Sequence, residues 1–269
     1  MPDVQGEPPG GWPAFFGMLG EKHFSPFKTY VNHARRTVVV LNPKVGTKTF
    51  RLALVEGLRE IHGITDPSEG RYRLFRNARR FPFAPLRDYV HALRFPGEYE
   101  FYCFVRNPYA RLRSAWQNKF AYGHEKGYSR SIRRRELPRL RRFARASALP
   151  GARDGEAIPF ATFLAYVESQ PSGQRDHHWD AQHEVLLMHR LHYARCFRME
   201  QEFASGLAQV FERLELAGPG LQRILATQEN VSPREQAPVF TEDLAARTFA
   251  LYRGDFERFG YAAGSWQGL

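Results

Sequence analysis

Thr37-Val38-Val39-Val40-Leu41-Asn42-Pro43-Lys44-Val45-Gly46-Thr47-Lys48-Thr49 carries two structural signals back to back. The first is a β-branched run without polar alternation, the pattern of a short strand buried on both faces of a parallel sheet. Asn42-Pro43 ends it. After the loop Lys44 to Lys48, the segment Thr49 to Ile61 places Phe50, Leu52, Ala53, Val55, Leu58 and Ile61 at mainly helical spacing. The reading is strand, tight loop, helix.

A second unit of the same form lies downstream. Glu100 to Val105 reads as the strand, Arg106-Asn107-Pro108 as the turn and Tyr109 to Phe120 as the helix, with Pro108 suited to a first helical position where the missing N–H costs nothing. Two such units imply an α/β fold, a central, mostly parallel sheet flanked by helices and joined by right-handed crossovers. Ligands of such sheets bind at the carboxyl ends of the strands. The loops Pro43 to Thr49 and Arg106 to Pro108 are therefore expected to open on one edge.

Outward from these units, residues 36–262 read as a single P-loop-like domain. Residues 1–35 form an irregular arm interrupted by Pro8, Pro9, Gly10, Gly11 and Pro13, and 263–269 a short tail. A strongly basic stretch, Lys126 to Arg145, includes Arg133-Arg134-Arg135 and Arg139-Leu140-Arg141-Arg142 and reads as a surface insertion over about 124–157. Its functional reading is a rim that steers an anionic acceptor or donor; its plain reading is a solvated face. Helical patterns resume at Pro159 to Glu168, Met199 to Leu216 and Thr241 to Phe259, the last opened by a Thr241 cap and an acidic first turn.

Composition narrows the chemistry. With 39 Lys plus Arg against 28 Asp plus Glu, the 269-residue chain has a formal charge of +11, so an anionic partner is expected: nucleic acid, acidic glycan, membrane surface or charged nucleotide. Cys103 and Cys196 lack metal-ligand spacing and read as small core residues, not as a disulfide or zinc framework. No apolar stretch has the length of a signal peptide or a membrane span. That sets the expectation of a cytoplasmic protein, with peripheral membrane contact left open.

The loop after the first strand opens a helix, where unpaired backbone N–H groups and the helix dipole favour a phosphate. Gly46 permits close backbone approach, and Thr47 and Thr49 supply hydroxyls. The segment fails as a nucleoside-triphosphate loop of the type G-x-x-x-x-G-K-[ST]: with Lys48-Thr49 as its last pair, the required glycines fall on Asn42 and Thr47. A template with lysine before glycine, P-K-x-G-[ST]-x-[ST], fits. It resembles the 5′-phosphosulfate loop of sulfotransferases that use 3′-phosphoadenosine 5′-phosphosulfate (PAPS).

The resemblance implies that Lys44 reaches the bridging oxygen between phosphate and sulfate, with Gly46, Thr47, Lys48 and Thr49 around the phosphosulfate. Sulfuryl transfer leaves negative charge on the departing phosphate, and a fixed cation there stabilises the transition state more than the ground state. No metal is required for that, and no metal-ligand set is read from the sequence. Lys48 departs from the pattern, since that position is usually a small polar residue.

The second turn belongs to Phe104-Val105-Arg106-Asn107-Pro108-Tyr109-Ala110-Arg111-Leu112-Arg113-Ser114-Ala115-Trp116. It resembles the same family's 3′-phosphate element, R-x-P-x-x-R-x-x-S, which implies that Arg106 and Ser114 hold that phosphate; a guanidinium offers bidentate donors for it. Further segments resemble the carbohydrate branch of the family, the chondroitin and Golgi-type enzymes and their bacterial relatives. These are Asp176-His177-His178-Trp179 for D-x-H-W, Tyr193 to Glu200 for a strand running into a [KR]-x-E helix start, Asn230-Val231-Ser232 for an N-x-S turn, and Asp255-Phe256-Glu257-Arg258-Phe259-Gly260-Tyr261 at the end. The resemblance spans about residues 37–261 and implies PAPS as donor, 3′,5′-ADP as product and a sugar hydroxyl as acceptor.

An acceptor hydroxyl needs a general base. His178 is the first choice, because it occupies the H-W position, and His91 is the second; Glu200 reads as structural. Two other readings stand beside this one. A P-loop kinase lacks its Walker spacing here, and Arg106 stands where a metal-binding Asp would be expected. A non-enzymatic polyanion-binding protein is the other, although no zinc finger or helix-turn-helix supports nucleic acid as the partner.

Overall fold

The structure is a computed structural model that describes residues 11–25, 28–61, 63, 86–121, 130–226 and 239–269. Chain order runs α1 (Trp12–Gly20), β1 (Thr29–Asn32), β2 (Thr37–Val40), α2 (Thr47–Ile61), α3 (Leu86–Arg94), β3 (Glu100–Val105), α4 (Pro108–Trp116), α5 (Arg130–Ala146), α6 (Phe160–Glu168), α7 (Gln182–Val185), β4 (Tyr193–Arg198), α8 (Met199–Arg213), α9 (Pro219–Ala226), α10 (Glu242–Leu251) and α11 (Arg253–Phe259). The chain divides into two compact units, one of Met1–Val105 with Gln182–Arg234 and the other of Arg106–Ala181 with Glu235–Leu269.

The first unit holds the sheet, in the order β1-β2-β3-β4. β2 and β3 run parallel with Val38 opposite Phe101 and Val40 opposite Cys103, and β3 and β4 run parallel as well. Only β1, on the edge, is antiparallel. The expected α/β sheet is thus present. Val38 and Val39 point to opposite faces and are both fully buried, which is why β2 shows no alternation. One face packs Val39, Phe104 and Phe197 with Phe50, Leu54, Leu207 and Phe211 of α2 and α8. The other packs Val31, Val38 and Phe101 with Met18, Tyr89 and Leu93 of α1 and α3. The two cysteines are cross-strand neighbours with sulfurs 3.2 Å apart, both thiols, and burial pushes the Cys103 thiol well up.

Residues 11–35, read from the sequence as irregular, instead carry α1 and β1. Pro13 does not interrupt α1 because it sits in the first turn, where no intrahelical N–H is needed, and buried Met18 anchors the helix. β1 is four residues long and exists by pairing with β2, a tertiary fact that local periodicity does not carry.

The second unit is helical around one core, with Tyr109, Leu112, Leu140, Phe163, Trp179 and Phe256 among its buried members. The basic stretch forms α5 where it is described; residues 124–129 of the expected insertion and the Asn230-Val231-Ser232 turn lie outside the described residues. The expected helix Thr241 to Phe259 is two helices, broken at Tyr252 just before Gly254, while the Thr241 hydroxyl accepts from the Leu244 N–H as a cap should. Among the described residues no helix is long and apolar enough to cross a membrane.

Candidate active site

The loop between β2 and α2 is built from its backbone. Lys44 and Gly46 both take left-handed conformations, with φ of 72° and 78°, on either side of Val45, whose side chain is buried in the core. For Lys44 that conformation costs roughly 1–2 kcal/mol, a strain of the kind that concentrates at binding loops. Gly46 is required twice over, since a Cβ there would lie 2.4 Å from Cζ of Phe203 on α8. Left-handed residues in a turn let successive N–H groups face one side, the arrangement that cradles an anion.

The base of the loop is fixed from below. Asn42 is fully buried and donates to the Gln182 side chain at 2.9 Å and to the Phe104 carbonyl at 3.4 Å. The Thr47 hydroxyl donates to the Asn42 carbonyl at 2.9 Å, so its proton closes the loop. Phe50 N–H meets the Gly46 carbonyl and starts the helix. The first turn of α2 has no acidic residue of its own to compete with an anion at the positive helix end. Lys44 and Thr49 are half-buried and Lys48 is exposed.

β3 ends at Val105 on the same edge as the end of β2, because the two strands are parallel and in register. Arg106, which follows directly, opens the second unit and is half-buried. Asn107 caps α4, its Oδ1 accepting from Tyr109 N–H at 3.0 Å while its amide donates to Ser265 at 2.8 Å, and Pro108 takes the first helical position. Ser114 lies farther along α4, half-buried.

Arg111, part of the same motif, does something that the motif does not announce. It is buried, and its guanidinium donates to the carbonyls of Asp180 at 2.6 Å and His177 at 2.8 Å. It therefore clamps the segment Asp176 to Asp180 onto α4. Within that segment His178 Nδ1 stands 2.7 Å from Asp176 Oδ1, and Arg135 of α5 reaches the other oxygen of the same carboxylate. Burial pushes the Asp176 carboxyl up, yet the His178 hydrogen bond and the neighbouring imidazoles outweigh it and hold the group well below the usual carboxylate range. Asp176, His177 and His178 could also offer ligand atoms to a metal ion, but a guanidinium already occupies the carboxylate, and the short bond to Nδ1 suits a proton-sharing pair better.

His91 lies elsewhere. It sits on α3 against Tyr99, His33 and Arg36, at the amino ends of β2 and β3. β2 alone puts roughly 10 Å between that edge and the β2–α2 loop. The structure thus separates the second candidate base from Lys44, for a plain reason: α3 is joined to β3 only by a short connection with a 3-10 turn at Pro96–Glu98, and so delivers His91 to the start of that strand.

The sequence from 39 to 262 matches the family model described as the sulfotransferase family. The chain belongs to the sulfotransferase family. The matched span takes in the loop after β2, the Arg106 turn and the Asp176–Trp179 segment of this family member. It is similar to carbohydrate sulfotransferase 11 of Mus musculus, 26% identical over 172 residues that make up 60% of this chain and 46% of that protein. A second match, to carbohydrate sulfotransferase 11 of Rattus norvegicus, is 30% identical over 96 residues, 34% of this chain and 26% of that protein. The chain spans less than half the length of these curated relatives. No solved structure gives a significant match.

Proposed function

We propose that the chain moves a sulfuryl group from PAPS to an acceptor hydroxyl of a carbohydrate or glycoconjugate, releasing 3′,5′-ADP. The observation that carries this reading is the β2–α2 loop, in which a left-handed lysine and a left-handed glycine precede an acid-free helix start in a sulfotransferase-family chain. Lys44 neutralises charge on the bridging oxygen as the S–O bond breaks. Gly46, Thr47, Lys48 and Thr49 surround the phosphosulfate, Lys48 adding field from an exposed position. Arg106 and Ser114 take the 3′-phosphate. His178 removes the hydroxyl proton as the acceptor oxygen attacks sulfur, and the electron pair of the broken bond leaves with 3′,5′-ADP. A sugar acceptor is supported by the carbohydrate sulfotransferases that the chain resembles. Acidic groups on that acceptor would meet the exposed arginines of α5.

Thermal unfolding with 3′,5′-ADP and with ATP plus magnesium tests the nucleotide. Stabilisation by 3′,5′-ADP, weakened by ~1.5–3 kcal/mol of binding energy in Arg106→Ala, is expected. Stabilisation by ATP–magnesium alone would favour a kinase, and indifference to both a polyanion-binding module.

A further inference from the structure

Asp176 and Arg135 have no part in the reaction as set out above, yet Asp176 bonds directly to its proposed base and Arg135 bonds to Asp176. The Asp176 side chain is 3% exposed. Its Oδ1 accepts twice from the same residue, from His178 N–H at 3.0 Å and from His178 Nδ1 at 2.7 Å. A backbone bond alone would be an ordinary local turn. The second bond ties the ring to the turn, so that the ring cannot rotate without losing it.

The carboxylate is itself held. Arg135 of α5 engages Oδ2, and the same guanidinium donates to Glu136 at 2.7 Å. Glu136 is buried and also accepts from Tyr166 of α6 at 3.0 Å. The N–H groups of Trp179 and Asp180 both return to the Asp176 carbonyl at 2.9 Å, Trp179 is fully buried, and Arg111 holds the carbonyls on either side. Five residues are thus fixed from α4, α5 and their own backbone, which is far more constraint than a surface loop needs in order to fold.

We propose that Asp176 is the positioning carboxylate for His178, fixing the ring with its proton on Nδ1 so that Nε2 is the nitrogen that takes the acceptor's proton, and that Arg135 locks this carboxylate in place. The inference rests on the reading of His178 as the base. An ionised carboxylate has no proton to give, so the bond at Nδ1 requires the hydrogen to be on the ring. The neutral imidazole then has its lone pair at Nε2. After proton transfer the imidazolium faces Asp176, which stabilises the charge that forms. Among the described residues, the titratable and charged groups at the ring and its carboxylate partner include Asp176 and His177 of its own segment and Arg135 from α5, with Arg111 interacting electrostatically with Asp176.

The pair is tested in two independent ways on the full chain. Nitrogen-15 shifts of the His178 ring should show the Nδ1–H tautomer in the native protein; an Nε2–H ring would overturn the proposal whatever the enzyme's substrate. In turnover, His178→Ala is expected to lose about 10²–10⁴-fold. Asp176→Asn should lower kcat about tenfold or more with donor KM little changed. The acid limb of its kcat/KM profile should also move to lower pH, because the imidazolium has lost its counter-charge. Arg135→Gln removes a positive charge beside the pair, so the same limb should move by less and to higher pH, and it serves as the second variant if Asp176→Asn does not fold. A profile superimposable on the native one in these variants, with only a lower Tm, would mean that the carboxylate merely braces the loop. Full turnover in His178→Ala would overturn the base assignment itself, and with it the pair's role.

Discussion

The two ends of β2 and β3 both gather polar residues, and they do so by opposite means. At the carboxyl end of β2, the segment Asn42 to Thr49 relies on backbone: two left-handed residues, a buried Asn bracing the loop, two lysines and no carboxylate. At the amino ends, His33, Arg36, His91, Glu98 and Tyr99 satisfy one another through side chains. The Tyr99 hydroxyl is 2.6 Å from His33, 2.9 Å from His91 and 3.2 Å from Arg36, and Arg36 pairs with Glu98 at 3.2 Å. Arg36 and Glu98 offset one another within the second cluster, whereas the segment Asn42 to Thr49 itself carries Lys44 and Lys48 and no acidic residue. A segment proposed to hold a polyanion does better without an acidic residue of its own, whereas an edge that only closes the fold is more stable when its charges pair. The contrast separates the proposed binding loop from a polar knot where residue type alone would not.

The sharpest way to break the contrast is Lys44→Ala. If the loop's charge acts on the leaving phosphate, turnover should fall about 10²–10³-fold, the range for removing one transition-state donor, with the unfolding transition little changed. Lys44→Gly should be equally inactive and at least as stable, because glycine relieves the left-handed strain. Normal turnover in either variant, measured with labelled PAPS, would move the site off this edge. A smaller effect, on stability, is expected for Gly46→Ala. The added carbon would press into the Phe203 ring in a conformation that L residues avoid, at a cost of roughly 1–3 kcal/mol. Denaturant unfolding reads that cost, and wild-type stability would show that the ring does not hold the loop.

How much of this was legible depends on the range of the interaction concerned. β2, β3 and the helices after them follow from short apolar runs and their periodicity, and the observed ranges agree to within a few residues. The Lys44–Gly46 loop was legible because its constraint is local, one lysine and one glycine at fixed spacing before a helix. β1 was not, since four residues become a strand only beside β2. Arg111 stood in plain view in its motif, but that it is buried and clamps His177 and Asp180 depends on a segment more than sixty residues away. The Asp176–His178 bond did leave a local trace, an Asp two residues ahead of a His, which is a spacing that favours a side-chain turn. For His91 the missed signal was topological: a helix that ends just before a strand puts its last turn at that strand's start, the wrong end for a ligand site of this sheet class.

The mildest test addresses that last residue. Removing the His91 ring takes away one partner of the Tyr99 hydroxyl and the edge contact with the His33 ring, 4.8 Å between centroids. Tyr99 keeps His33 and Arg36, and burial already favours its neutral hydroxyl over the phenolate, so no charge is stranded. The loss should therefore be that of a single hydrogen bond, about 0.5–1.5 kcal/mol, which lowers Tm by only a few degrees in a chain of this size. Turnover of His91→Ala should stay within about twofold of native, a difference of about 0.4 kcal/mol in the barrier. Because the stability and activity readouts are predicted to separate, the experiment discriminates. A large fall in kcat with an unchanged melt would place a proton-transfer role at the amino ends of the strands, and the distinction drawn between the two edges would fail.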